Sequence, residues 1–376
     1  MNDTQPDIPL SLYIHFPWCV RKCPYCDFNS HESKDQIPYS AYVDTLIRDL
    51  DRELTSESRR HIISIFMGGG TPSLFPDREI KRLLSSIGSR LDISDAEITM
   101  EANPGTFDQS HFSGYRESGV NRISLGAQSF SSQALENLGR IHSPGEIQRA
   151  FEGARHAGFR RINLDLMHGL PGQKLDAALN DLKSAIELAP EHLSWYQLTI
   201  EPNTVFHKKP PLLPVEDVLA DIAARGLELL RGAGFQQYET SAYAQPGAQA
   251  RHNVNYWEFG DYLGIGAGAH GKVTRENQVI RRSKTRVPSD YLREPSANET
   301  IVAQEDLNLE FLMNALRLTE GFRLSLFEAR TGLQAQVLDA FLEKAFSRDL
   351  LEIVGDRVQP TARGRMFLNE LLLLVD

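Results

Sequence analysis

The chain reads as an α/β protein: a (β/α)6 partial TIM barrel followed by a small C-terminal helical, winged-helix-like domain. Three observations predict this. Apolar β-type runs alternate with longer helical patterns from the start to about residue 243, as in a parallel sheet with crossover helices. The unusual residues follow the strand candidates, on the rim where αβ barrels build their sites; periodicity alone does not separate a barrel from an open doubly wound sheet. Helical periodicity then returns from about Asp306, after a Gly- and polar-rich stretch. At 376 residues the chain is longer than one core of about 250–300 residues serves. The expected division is a barrel over 1–243, a connector with site loops over 244–300, and the helical domain over 301–376.

The first strand is Leu10, Leu12, Ile14 and Phe16 at period two, running into a cysteine loop. The next segment sets Val43, Leu46, Ile47, Leu50 and Leu54 on one helical face, with Pro38 near its start. Strand candidates recur at Ile62–Phe66, Ile98–Met100, Ile123–Leu125, Ile162–Leu166 and Leu193–Ile200, separated by segments such as Asp176–Leu188 that suit helices. Near the end, Leu351–Ile353, a Gly355-Asp356 turn and Arg357–Gln359 form a hairpin before a last helix.

With 41% hydrophobic and 24% charged residues, the composition excludes disordered and fibrous classes. Forty basic against fifty acidic residues leave a net charge of −10, which repels phosphate backbones, so nucleic acid is not an expected partner. The last domain, with 8 basic and 12 acidic residues, argues against DNA for the winged-helix-like unit too. The apolar run Leu371–Val375 is far below the ~20 residues of a membrane span, and MNDTQPDIPL has neither a basic n-region nor an apolar h-region, so a cytoplasmic location is expected. The cluster Arg281, Arg282, Lys284 and Arg286 reads as a solvated loop, the alternative being a seat for the carboxylates of a ligand or for a membrane surface.

All three cysteines lie in one window, Cys19, Cys23 and Cys26, which points to a metal or redox centre rather than a disulfide framework. Three soft ligands on one tight loop suit an iron–sulfur cluster or zinc. A [4Fe–4S] cluster held by three thiolates leaves one iron open; a zinc site would need His15 or His31 as its fourth ligand.

HFPWCVRKCPYCDFNS resembles the CxxxCxxC signature of radical S-adenosylmethionine (SAM) proteins. The resemblance implies a [4Fe–4S] cluster on Cys19, Cys23 and Cys26, SAM chelated to the open iron, and an electron donor for the cluster. The segment GGGTPSLF resembles the family's Gly-rich turn at the methionine end of SAM, where a missing Cβ admits close approach. More narrowly, the chain is similar to the oxygen-independent coproporphyrinogen III oxidase-like family over both parts. By that similarity Tyr13, Tyr25, Gly69, Gly70, Thr71, Glu101, Gln128, Arg140 and Asp165 fall on SAM-contacting positions, the last three of these belonging to a second SAM in the dehydrogenases. A carboxylate such as Glu101 accepts from two ribose hydroxyls, and Arg140 pairs with a carboxylate.

One departure narrows the reading. The dehydrogenase pattern carries a further cysteine two positions after the third, where this chain has Phe28. The chain instead resembles the heme-chaperone branch, HemW, whose HNxxYW motif matches His252-Asn253-Val254-Asn255-Tyr256-Trp257. That resemblance implies heme as cargo, an acceptor hemoprotein as partner and His252 as an axial ligand, with His142, His168 and His270 as competitors. The alternative is anaerobic decarboxylation of coproporphyrinogen III.

Overall fold

The computed structural model describes residues 8–33, 36–54, 60–106 and 109–375. The first seven residues, read above as part of a stretch without a leader, lie outside these. Six parallel strands, β1 (Leu10–Phe16), β2 (Ile62–Gly69), β3 (Glu97–Ala102), β4 (Arg122–Gln128), β5 (Ile162–His168) and β6 (His192–Gln197), lie side by side in chain order. Crossover helices join them, among them α1 (Tyr39–Leu54), α2 (Asp77–Gly88), α3 (Gln109–Glu117), α4 (Pro144–His156) and α5 (Leu175–Glu187); α6 (Glu216–Gly232) follows β6. This is the (β/α)6 arrangement expected from the alternating pattern.

Strand parity explains the barrel. Leu10, Leu12, Ile14 and Phe16, with Ile65, Met67, Ile98, Met100, Ile123, Leu125, Leu164 and Leu166, face the helices and are fully or almost fully buried. The alternate positions point inward and are largely polar, and the register staggers them from β3 to β5, Thr99 lying opposite Arg122 and Ser124 opposite Asn163. Counted upward along each strand, the lowest layer is Ser11, Ser64, Glu97, Arg122, Asn163 and His192. The middle layer is Tyr13, Phe66, Thr99, Ser124, Asp165 and Ser194, and the upper one includes His15, Gly68, Glu101, Gly126, Met167 and Tyr196.

The segment 244–300, expected as a connector, is instead a continuation of the same sheet. On the far side of β6 come β8 (Ala242–Ala244) and β7 (Gln236–Glu239). On the other side β9 (Asp261–Ile265) pairs parallel with β1, Leu10 opposite Asp261, followed outward by β10 (His270–Arg275), β11 (Gln278–Lys284) and β12 (Ala297–Ile301). The basic cluster is therefore not a solvated loop. Arg282 and Lys284 are buried on β11 with Glu53 and Asp49 of α1, and Arg281 pairs with Glu310. Buried cations of this kind persist only with carboxylate partners, and here the partners come from more than 200 positions away.

Helix α7 (Arg251–Trp257), which carries the HNxxYW residues, closes the lower end of the barrel. Asn255 Nδ2 donates to Ser11 Oγ (3.0 Å) and to the Asp261 carbonyl (2.8 Å), and Asn253 Nδ2 donates to Tyr238 Oη (3.1 Å). The backbone N–H of Arg251 donates to Glu97 Oε1 at 2.8 Å. The C-terminal unit has its own core around Phe311, Phe322 and Phe327 and carries the hairpin Leu351–Val354/Arg357–Pro360.

Candidate functional site

Beyond Phe16 the chain turns into a loop that places Cys19, Cys23 and Cys26 on the wall of a cavity of about 730 Å³, at the C-terminal ends of the strands. Each sulfur has its own polar neighbour. Thr71 Oγ1 donates to Cys19 Sγ (3.6 Å), Arg140 Nη1 donates to Cys23 Sγ (3.4 Å), and Ser30 Oγ lies 3.6 Å from Cys26 Sγ. Burial pushes the Cys19 and Cys26 thiols up, so thiolates form there only against added positive charge, which a bound cluster provides. The donor set fits three thiolate ligands of an iron–sulfur cluster. A single-ion zinc site would need a fourth ligand besides the three thiolates, and His15 is not free to serve as one. Both His15 nitrogens are engaged, Nδ1 with Tyr13 Oη (2.8 Å) and Nε2 with the Asn29 carbonyl (2.9 Å). Burial lowers His15 to about 4, so its ring is neutral.

The thiol loop is braced from the sheet extension. Asn29 Nδ2 donates to the carbonyls of Ala267 (2.9 Å) and Arg286 (2.8 Å), and Lys22 Nζ donates to those of Phe28 and Ser30. The Gly-rich turn is laced to the loop from the other side, Gly70 N donating to Phe16 O and Thr71 N to Trp18 O, each at 2.7 Å. Two glycines are required there. Gly69 has φ +106° and a Cβ would sit 2.3 Å from the His15 ring, while a Cβ on Gly70 would sit 2.5 Å from the Trp18 carbonyl oxygen.

Opposite the thiols stand two half-buried carboxyl groups. Glu101 Oε2 accepts from Gly69 N (3.1 Å), and burial, reinforced by Asp165, pushes it up to about 8. Burial also raises Asp165, whose oxygens accept from Ser124 Oγ (2.7 Å) and Asn163 Nδ2 (2.8 Å). Arg140 Nη2 donates to the Gly126 carbonyl (3.1 Å). Gln128 holds the left-handed backbone region, φ 67°, at a bulge in β4, and its Oε1 accepts from Tyr196 Oη at 2.9 Å. A wall of this kind takes a ligand carrying hydroxyls and positive charge beside one carboxylate.

Every site residue read from the sequence lines this cavity except Tyr13 and His252. Tyr13 lies one layer below, its ring stacked on Phe66 and its hydroxyl given to His15. His252 is at the barrel floor, 7% exposed, its ring stacked on Phe66 at 4.3 Å and 16°, with Nδ1 at an ionic distance of 3.9 Å from Glu97 Oε1. Its imidazole faces the lower barrel and does not line the cavity. His142, His168 and His270 do not line the cavity either. Sequence reading missed Tyr196, Ser124 and Arg317, which do. The inward parity of His192, Ser194 and Tyr196 on β6 was the available signal for the first; Arg317 had none.

Residues 13–185 match the Radical SAM superfamily, and residues 302–367 match the HemN C-terminal domain. The chain is 52% identical to heme chaperone HemW of Escherichia coli (strain K12), over 97% of this chain and 98% of that one. It is 51% identical to heme chaperone HemW of Haemophilus influenzae over 97% of each, and 32% to that of Bacillus subtilis over 96% and 97%. The chain belongs to the heme chaperone HemW family. Among solved structures, coproporphyrinogen III oxidase (HemN) from Escherichia coli, a radical SAM enzyme, superposes with a TM-score of 0.82 over 99% of this chain and 91% of its own. At 23% identity that likeness shows a shared fold: the radical SAM barrel and C-terminal unit of this HemW-family chain are those of HemN. The floor helix and the strands after β8 lie between the two matched segments.

Proposed function

We propose that this chain binds heme and hands it to an acceptor hemoprotein, with a [4Fe–4S] cluster on Cys19, Cys23 and Cys26 and SAM beside Gly69, Gly70, Thr71 and Glu101. The observation that carries this reading is near-full-length identity to proteins named heme chaperones, in a chain whose three thiols share one cavity wall. Phe28, 58% exposed beside the thiol loop, stands where the dehydrogenases' further cysteine is expected, which favours cargo handling over porphyrinogen decarboxylation. The cluster with SAM supplies one-electron chemistry when reduced by a donor protein or small reductant.

The chain's own groups then have separable roles. Glu101, once ionised by an approaching cation, accepts ribose hydroxyls; Arg140 pairs with the SAM carboxylate while steadying Cys23. Tyr13 acts through His15 on the Asn29 carbonyl. Tyr25, packed near Phe206, holds the loop between the second and third thiols. Gln128 and Asp165, across from Glu101, suit a second SAM or the edge of the cargo. Three unpaired cysteines suit a reducing, cytoplasmic compartment, and no described helix is long and apolar enough to cross a membrane.

Anaerobic reconstitution followed by three assays on one sample tests the reading. The expected result is about one heme per chain, transferable to an apo-hemoprotein, a brown cluster lost in Cys19→Ala, and no protoporphyrinogen. Stoichiometric conversion of coproporphyrinogen III would overturn it in favour of the enzyme.

A further inference from the structure

We propose that Arg317, delivered by the C-terminal unit, is the anchor for a carboxylate of the cargo porphyrin; this deepens, and rests on, the heme-binding reading above. Arg317 lies within the HemN C-terminal match, yet its side chain reaches the wall of the cavity that holds the three thiols. The radical SAM barrel is therefore not the sole source of the cavity's chemistry.

The guanidinium is held as a rigid fixture. Nη2 donates to Glu239 Oε2 at 3.1 Å, and the group lies over the Trp257 ring at 4.3 Å. Glu239 is itself buried, 3% exposed, and its other oxygen accepts from Ser241 N and Oγ, so the acceptor that aims Arg317 is fixed in turn. The bond to Glu239 is the one hydrogen bond of the guanidinium among the described residues, and its Nε is buried without a partner. The neighbouring Trp257 Nε1 is also a buried donor without a partner. With one bond made and its side chain 30% exposed on the cavity wall, the oriented guanidinium has donors left for an acceptor that the protein itself does not supply.

The other guanidiniums on the wall suit this task less. Arg140 is engaged with Cys23 Sγ and Gly126 O, and Arg21 is exposed on the thiol loop. Glu101 and Asp165, on the barrel side, are acids themselves and offer a carboxylate no cation to pair with. A ligand with a flat apolar body and an acidic edge would thus seat that edge at Arg317, and heme has this shape through its propionates.

The test compares two probes on the full chain with its cluster reconstituted: iron protoporphyrin IX and its dimethyl ester. Wild type is expected to bind the free acid about tenfold more tightly than the ester, in line with one charge-assisted hydrogen bond. Arg317→Gln is expected to lose that preference, weakening only for the acid, with Arg317→Lys intermediate and with cluster absorbance and SAM affinity unchanged. If Arg317→Gln keeps the wild-type preference, or weakens acid and ester alike, the anchor assignment is wrong, the latter result meaning that Arg317 only holds the two units together. Wild type binding neither probe would sink the heme reading itself, and the anchor with it.

Discussion

At the scale of single residues, Glu101 shows how the barrel interior stores chemistry at a cost to stability. In the cofactor-free protein its proton stays on up to about pH 8, whereas an unfolded chain releases it near the ordinary 4.5. The native state thus binds more protons between these values, so the contribution is full below pH 4.5 and is lost as pH rises toward 8. Glu101→Gln, which keeps the acceptor for Gly69 N, is expected to remove this slope and to be more stable than wild type at pH 8 by roughly 2–4 kcal/mol. Denaturant melts of the apo protein at pH 5 and pH 8 check it; equal slopes in both proteins would contradict the raised carboxyl. The same variant is expected to weaken SAM binding, so stability and ligand affinity move in opposite directions. Glu101 and Asp165 were legible in the sequence because they lie at or toward strand ends, and strand ends define the rim, whereas Arg140 was reached only through the family resemblance. Tyr196 was passed over although the period-two pattern His192, Ser194, Tyr196 marks it, because Ser194, Gln197 and Thr199 interrupt the apolar run 193–200 and blur its inward face.

At the scale of elements, the HNxxYW helix is where sequence and structure part. The motif suggested a heme ligand because a histidine beside aromatic residues is a sensible heme seat; its parity on α7 instead puts His252 on Phe66 and Asn255 on Ser11, as a floor. Nothing local announces this, since the partners lie on β1 and β2, some two hundred residues earlier. Removing the imidazole is expected to act as a core truncation: His252→Ala loses roughly 2–4 kcal/mol of stability while heme affinity per folded chain stays within about twofold. Heme titration of the soluble fraction, alongside thermal melts, separates the two effects, and loss of heme from a well-folded variant would restore His252 as ligand. The thiol loop is the complementary element. Its cysteines were readable, but its brace was not, for Asn29 reaches carbonyls of residues 267 and 286. Asn29→Ala leaves the carbonyl of buried Ala267 short of a donor, costing about 1–3 kcal/mol locally, while exposed Arg286 turns to water. The expected readout is faster loss of iron on anaerobic desalting and earlier proteolysis within 19–33, with global melting little changed.

For the whole molecule, the decisive fact is that the sheet runs on past both edges of the six-strand barrel, so that residues 244–300 belong to the barrel's own sheet. A Gly-rich run such as GDYLGIGAGAHG reads as loop, and RRSK reads as surface, because both patterns are judged against local neighbours. Here β9 takes its hydrogen bonds from β1, and the cations of β11 take their charge balance from α1. Asp49 concentrates this coupling. It lies 2.5 Å from Lys284 Nζ, and its Oδ2 accepts from Tyr291 Oη (2.7 Å) and from Gly266 N (3.2 Å). One carboxylate therefore ties α1 to β11, to the helix Pro288–Arg293 and to the turn after β9 that backs the thiol loop. Removing its cation by Lys284→Met strands Asp49 and part of Glu53 in the interior, for which a loss of about 3–5 kcal/mol is expected. Adding Asp49→Asn alone to that variant is expected to return much of the loss, since Glu53 still balances Arg282 and what hurts is the uncompensated charge rather than the missing pair. Because the network joins the extension to the barrel, the single variant is expected to unfold the two together, with tryptophan fluorescence and far-UV signal falling in one transition. Separate transitions, or a loss under about 1 kcal/mol, would mean that the strands after β8 are an appendage and that the thiol loop keeps its shape without them.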